Sequence, residues 1–323
     1  MSTTYLEAIR EGLWEEMERD PDVFLIGEDI GTYGGAFKLT AGFLERFGER
    51  RVVDTPISES GIVGAAIGAG LMGLRPVAEM QFADFITCGF DQIVNFVAKC
   101  RYRWTAAVPI VVRAPSGGGI HGGPFHSQNP EMWFVKTPGL KVVCPATAYD
   151  AKGLIKSSVR DNDPVVFFEH KALYRRIKED LPTEEFTVPI GKARIARAGR
   201  DLSAITYGAM VWVALEAAET LAAEGIEMEV VDLRTLLPLD RETVCESVKR
   251  TSKALLLHED TRTAGMAGEL AISITESVFE YLDAPIVRVT APDTPVPFSA
   301  PLEEAFLPNA AKVIEKARWL HRY

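Results

Sequence analysis

The 323 residues suffice for two domains of ordinary size, and at 47% hydrophobic they can fill two cores rather than stay disordered. A formal net charge of -10 speaks against a nucleic-acid-binding surface and leaves room for a basic protein partner. The four cysteines, Cys88, Cys100, Cys144 and Cys245, form no CxxC pair and no metal spacing, so a reduced, cytoplasmic protein is expected.

The chain opens on an acidic amphipathic helix, "MSTTYLEAIREGLWEEME", with Thr4 and Glu7 spaced as a capping box; it reads as neither a secretory signal nor a transit peptide. Short apolar runs follow, "DVFLIG", "RRVVD", "RPVAEMQF", "VPIVVR", "LKVVCP" and "PVVFFE". Several are too continuously apolar for half-exposed strands, which points to a largely parallel sheet covered on both faces. Between Glu59 and Arg75 lies "GIVGAAIGAGLMGL", shorter than the about 20 residues that span a bilayer. Its small residues, Gly61, Gly64, Ala65 and Gly68, suit a helix packed close to another backbone. "GFDQIVNFVAKCRYRW" and "AYDAKGLIKSSVRD" read as helices between strands.

The polar stretch "RRIKEDLPTEEFTVP" breaks this pattern and divides the chain into domains 1–185 and 186–323. Strand and helix patterns then alternate again: "DLSAITYG", a helix through "ALEAAETLAAEG", "EMEVVDLR", a helix from Asp240, "KALLLHED", a helix from Gly268, and "APIVRVTAPD". Two consecutive α/β domains are expected, with no internal repeat.

Two stretches carry candidate chemistry. The first is "RAPSGGGIHGGPFHSQ", residues 113–128. No Lys-Ser or Lys-Thr pair follows its glycines, so it is not a Walker loop. A strand precedes them, but "PFHSQNPE" comes next, and its prolines forbid the immediate helix of a dinucleotide site. What remains is a glycine-bent loop presenting His126 at a strand's carboxyl end, or a surface loop with an incidental histidine. The second stretch is "DTPISESGIVGAA", which sets Glu59 at the start of the small-residue helix. There it either complements the helix dipole or serves as a partly buried reactive carboxyl, with burial and the dipole shifting its pKa in opposite directions.

The ordered set "GEDIGTYGGAFKLTAGFLERFG", "DTPISESGIVGAAIGAGLMGLRPVAEMQFADF", "FDQIVN", "GGGIHGGPFHSQ", "PGLKVV", "AKGLIKSSVRDNDPVVFFEHKALYR" and "VVDLRTLLPLD" resembles the β subunit of thiamin-diphosphate-dependent 2-oxo acid dehydrogenases, of the branched-chain or pyruvate type. The likeness runs nearly from end to end. It implies an α/β thiamin-diphosphate-binding fold of the transketolase pyrimidine type, followed by a transketolase C-terminal-type domain. The chain has no GDG motif, so the resemblance implies half an active site. Mg²⁺ and the diphosphate are then expected on an α subunit, within a heterotetramer.

By the same resemblance, Glu59 meets N1′ of the cofactor's aminopyrimidine, where a carboxyl favours the imino tautomer. Ile57, Gln81 and Phe85 match positions lining that ring; many relatives carry tyrosine at position 85, so only stacking carries over. Glu28 is a further cofactor-pocket candidate, with a structural role as its alternative. His126 matches the histidine facing the lipoyl side, suited to proton transfer during reductive acylation. His121, in the same loop, reads as a solvent or substrate-rim residue rather than a catalytic one. Backbone carbonyls of Ile110, Ser158, Val159, Asp161 and Asp163 match a K⁺ site. The implied partners are the α subunit, the lipoyl and subunit-binding domains of an acyltransferase core, and a small 2-oxo acid. "QFADF", "HSQNPE" and "FFEHKALYR" lean toward branched-chain substrates of the 2-oxoisovalerate type, with pyruvate and then acetoin dehydrogenases behind. "LLLHED" reads as a strand end packed at a subunit junction. The readings from other classes are a non-catalytic nucleotide- or flavin-binding α/β module and an assembling subunit that has lost catalysis.

Overall fold

The computed structural model describes residues 2–323. In chain order the strands are β1 (Ser2–Thr4), β2 (Val23–Gly27), β3 (Val52–Asp54), β4 (Arg75–Glu79), β5 (Val111–Ser116), β6 (Lys141–Val143), β7 (Val165–His170), β8 (Lys178–Asp180), β9 (Arg194–Arg197), β10 (Leu202–Thr206), β11 (Met228–Asp232), β12 (Thr235–Leu237), β13 (Ala254–Thr261) and β14 (Val287–Ala291). The helices are α1 (Tyr5–Arg19), α2 (Phe43–Phe47), α3 (Glu59–Leu71), α4 (Ala98–Trp104), α5 (Glu131–Val135), α6 (Ala148–Arg160), α7 (Met210–Ala222), α8 (Arg241–Thr251), α9 (Met266–Val278), α10 (Ala300–Phe306) and α11 (Ala310–Arg322). Contacts divide the chain into two units. The first runs to Ser116 and resumes over Trp133–Ile190; the second joins Gly117–Met132 to Gly191–Tyr323.

In the first unit the strands run in the order β6-β7-β5-β4-β2-β3, every pair parallel. The apolar runs are therefore buried strands of a parallel sheet, as their composition implies. Thr4 and Glu7 do close a capping box at the head of α1, Thr4 Oγ1 accepting from Glu7 N–H at 3.1 Å and Glu7 Oε2 accepting from Thr4 N–H at 2.8 Å. Gly12 lets α1 lie tight on α6, since a Cβ there would sit 2.6 Å from Ile155 Cγ2. The helix read over residues 89–104 forms after a 3₁₀ turn at Ala83–Gly89. It runs without a break from residue 90 through a π-helical turn over Gln92–Val97 into α4, the π turn being the one departure from a regular helix.

Helix α3 buries Ile62, Val63, Ala66, Ile67 and Gly70. Its other face, with Gly61, Gly64, Ala65 and Gly68, is exposed. Among the described residues nothing comes within 4 Å of a Cβ placed on Gly64 or Gly68, so the close backbone neighbour expected for this face is not among them.

The second unit has a sheet of order β14-β13-β10-β11-β9. It is parallel except for the antiparallel edge strand β9. Asp240 caps α8 by accepting from Thr243 N–H at 3.2 Å, while α9 starts at Met266, slightly ahead of Gly268. Among the described residues no helix is long and apolar enough to cross a membrane.

Candidate active site

The first unit brings several predicted residues to the carboxyl edge of its parallel sheet, where open α/β sheets bind ligands. Glu28 directly follows β2, and Gln81 lies just past β4, whose registers align Gly27 with Asp54 and with Glu79. Glu28 is 6% exposed, and its Oε1 has no hydrogen-bond partner. Burial pushes its carboxyl up, the negative charge of Glu59 pushes it further, and the Ser58 backbone N–H opposes both. Glu28 and Glu59 are thus brought together, with Glu59 half-buried as the first residue of α3.

Gln81 is turned by Asp29, whose Oδ2 accepts from its Nε2 at 3.2 Å. Phe85 packs edge-on against Phe82, ring centroids 5.8 Å apart, and Phe82 continues through Phe37 to Tyr174. Phe85 is therefore anchored in an aromatic row while staying partly exposed. Ile57 stands 82% exposed on the loop before α3.

Three supporting residues escaped the sequence reading. Asp54 accepts from Gly31 N–H at 2.6 Å and from Thr32 N–H at 3.4 Å, fixing the loop after Glu28. Asp29 adopts φ 57°, a conformation in which aspartate is tolerated better than most residues. Arg113, 2% exposed on β5, pairs with Glu79 on β4 and Glu169 on β7, and Tyr174 Oη donates to Glu169 at 3.0 Å. All three stand inside stretches quoted from the sequence, but their supporting contacts are with residues distant along the chain or across strands and have no local mark.

Of the carbonyls matched to potassium, those of Val159 and Asp161 converge, both accepting from Arg75 Nη1 at 3.0 Å. The carbonyl of Ile110 accepts from Val165 N–H at 2.9 Å, and that of Ser158 from Asp161 N–H at 3.3 Å. Arg75 and the two N–H groups thus already occupy one of the two lone pairs on each of these carbonyls.

In the second unit, Gly117 and Gly119 take φ 86° and 79°, a region open to glycine at little cost. The loop ends in a 3₁₀ turn, Gly123–Phe125, followed by partly buried His126. Phe125, 71% exposed, projects beside it. His121 is exposed and donates from Nδ1 to Glu303 Oε2 at 2.7 Å. "LLLHED" lies on β13, with His258 fully buried and held to about 4 by that burial, so it is a neutral core imidazole at physiological pH.

The chain matches the transketolase pyrimidine-binding domain over residues 1–177 and the transketolase C-terminal domain over residues 191–313. It is 51% identical to the 2-oxoisovalerate dehydrogenase subunit beta of Bacillus subtilis (strain 168), across 99% of both chains. It is 47% identical to the pyruvate dehydrogenase E1 component subunit beta of the same organism, over 98% of this chain and 97% of that one. The corresponding Staphylococcus aureus (strain Mu50) subunit is 45% identical over the same shares. In structure the chain resembles a split-gene transketolase, described as an inactive beta4 tetramer, with a TM-score of 0.82 over 100% of this chain and 99% of that one; at 23% identity this speaks for the fold alone. The expected order of pyrimidine-type and C-terminal-type domains is borne out. With family matches covering most of its length and relatives near half-identical from end to end, the chain belongs to the β subunits of 2-oxo acid dehydrogenases.

Proposed function

We propose that the chain is the pyrimidine-binding half of an enzyme that oxidatively decarboxylates a branched-chain 2-oxo acid of the 2-oxoisovalerate type and passes the acyl group to a lipoyl domain. The observation that carries this reading is Glu59, placed at the head of α3 and near enough to buried Glu28 for its charge to act there. The identity of 51% to a 2-oxoisovalerate dehydrogenase β subunit supports the substrate class.

The residues present fit an aminopyrimidine. Glu28 has a buried oxygen without a donor, Phe85 offers a partly exposed ring, and Gln81 is oriented by Asp29. When bound, thiamin diphosphate supplies the carbon acid whose deprotonated form attacks the 2-oxo group. Glu59 holds a proton at N1′, and Gln81, Phe85 and Ile57 orient the ring. Glu28, its carboxyl pushed up by burial and by the charge of Glu59, offers its unpartnered oxygen beside the ring. His126 moves a proton at the lipoyl sulfur.

The missing GDG motif supports placement of the diphosphate and Mg²⁺ on an α subunit, in a heterotetramer. The acidic balance supports docking of a basic subunit-binding domain from an acyltransferase core. All four cysteines are free, which supports work in the cytoplasm. A K⁺ ion at the carbonyls beside Arg75 completes the proposed set.

The test is co-expression with the α-subunit gene. Decarboxylation of 2-oxoisovalerate and pyruvate is then compared with thiamin diphosphate and Mg²⁺ added. The expected preference for 2-oxoisovalerate in kcat/KM is roughly 10–200-fold, the worth of a methylene or two in an apolar pocket. The reverse preference favours a pyruvate enzyme, the reading that the 47% identity supports. Turnover by the isolated chain contradicts the half-site reading.

A further inference from the structure

The loop Gly117–Gln128 lies outside regular strands, yet several of its backbone donors are buried and need acceptors. Two carboxylates of the same unit supply them. Glu259, 6% exposed on β13, accepts from Gly118 N–H at 2.6 Å and from Asn129 Nδ2 at 3.0 Å. Glu303, 1% exposed on α10, accepts from Gly119 N–H at 2.9 Å, from His121 N–H at 3.2 Å and from His121 Nδ1 at 2.7 Å. The loop is closed at its base by Gly117 N–H, which donates to the Gln128 carbonyl at 3.1 Å.

This grip reaches His126 through a stiff piece of chain. His121 is held at φ 59°, which a non-glycine residue keeps only where its surroundings enforce it, and Glu303 binds both its backbone and its ring. The chain then folds back so tightly that a Cβ on Gly122 would lie 2.9 Å from the Cβ of His126. One on Gly123 would lie 2.7 Å from the Phe298 ring. His126 takes its place from the backbone at 121–123, whose first residue, His121, is bonded to Glu303.

We infer that Glu259 and Glu303 are positioning residues that hold the loop so that His126 is presented in one place. The inference rests on the proposed role of His126 and adds the device that makes that role geometrically reliable. Hydrogen bonds to an ionised acceptor are roughly twice as strong as neutral ones, which suits carboxylates to the task. A group displaced by about 1 Å loses on the order of 10²-fold in rate.

The test uses Glu259→Gln, Glu303→Gln and Gly118→Ala in the full chain and in the assembled enzyme. Gly118→Ala leaves both carboxylates in place but wedges the clamp, because its Cβ would meet Glu303 Oε1 at 3.2 Å and Glu259 Oε1 at 3.4 Å. Amide hydrogen exchange over residues 117–126 is read first and needs no activity. It should quicken about ten-fold or more, while the strands of the same unit keep their protection. In the assembled enzyme, the ratio of lipoyl-dependent turnover to turnover with an artificial dye acceptor should fall by roughly 10²-fold. Unchanged loop exchange in all three variants overturns the inference. Quickened exchange with an unchanged ratio confirms the clamp and overturns instead the role given to His126.

Discussion

Arg113 offers the most calculable perturbation. Its guanidinium is 2% exposed and reaches Glu79 through Nη1 and Glu169 through Nη2, the latter at 2.7 Å. It thereby ties β5 to both neighbouring strands. The flanking carboxylates keep it charged despite burial, and Glu169, fully buried, is raised by burial and by Glu79 and lowered by Arg113. Arg113→Met keeps much of the volume but strands two acidic groups. Breaking a buried pair in this way costs about 3–5 kcal/mol. At about 2–4 °C per kcal/mol for a domain of this size, the first unit's melting temperature should drop by about 6–20 °C.

The pH dependence of that loss has a definite sign. Without Arg113, the folded-state pKa of Glu169 rises further above the unfolded value of about 4.3. A carboxyl raised by folding is favourable when protonated, so the deficit should be smallest near about pH 4 and grow as pH climbs through the folded pKa. Adding Glu169→Gln to Arg113→Met should recover part of the loss. Thermal melts across pH, followed by circular dichroism, read all of this. A melting temperature within about 2 °C of the parent near pH 8, or a deficit that deepens on acidification, refutes the reasoning.

Burial raises Asp260 to about 6 from 3.8, so its contribution to stability is present below its unfolded pKa and is lost as pH rises through about 6. Asp260→Asn should match the parent near about pH 4 and exceed it by about 1–3 kcal/mol above about pH 7; an offset constant across pH contradicts this. Gly64→Leu on the bare face of α3 should leave the isolated chain as stable or better by about 0.5–1 kcal/mol, yet block its incorporation with the α subunit; normal co-purification speaks against a partner on that face. Exchanging KCl for NaCl at equal ionic strength should lower the melting temperature of the assembled enzyme by a few degrees, about 1 kcal/mol; identical melts remove potassium from the proposal.

Much of the fold was legible because its signals are local. The capping box of Thr4 and Glu7 sits within one turn, and the runs that became β2, β4, β5 and β7 are apolar on both faces because the sheet is covered on both. The helix over residues 90–104 was legible, but the π turn at Gln92–Val97 inside it was not, since its apolar spacing is compatible with a regular helix. In the site, Glu28 and Glu59 could be picked out as acidic residues at a strand end and a helix start, but that the charge of Glu59 acts on Glu28 emerges only in three dimensions. Glu259 and Glu303 were beyond reach of the sequence, because they meet Gly118 and Gly119 across separations of 141 and 184 residues. Carbonyl ligands leave no mark on residue identity, so the convergence of Val159 and Asp161 on Arg75 emerged only from the backbone.

The central claim is that Glu59 governs a proton on the cofactor's pyrimidine. It is tested most directly by the rate at which C2 of thiamin diphosphate exchanges hydrogen for deuterium, measured by NMR after acid quench in the assembled enzyme. Glu59→Gln should retain the parent's melting temperature and slow that exchange by about 10²–10⁴-fold, the range for losing a positioned acid–base group. Exchange at the parental rate, in a variant shown to bind the cofactor, would contradict the account.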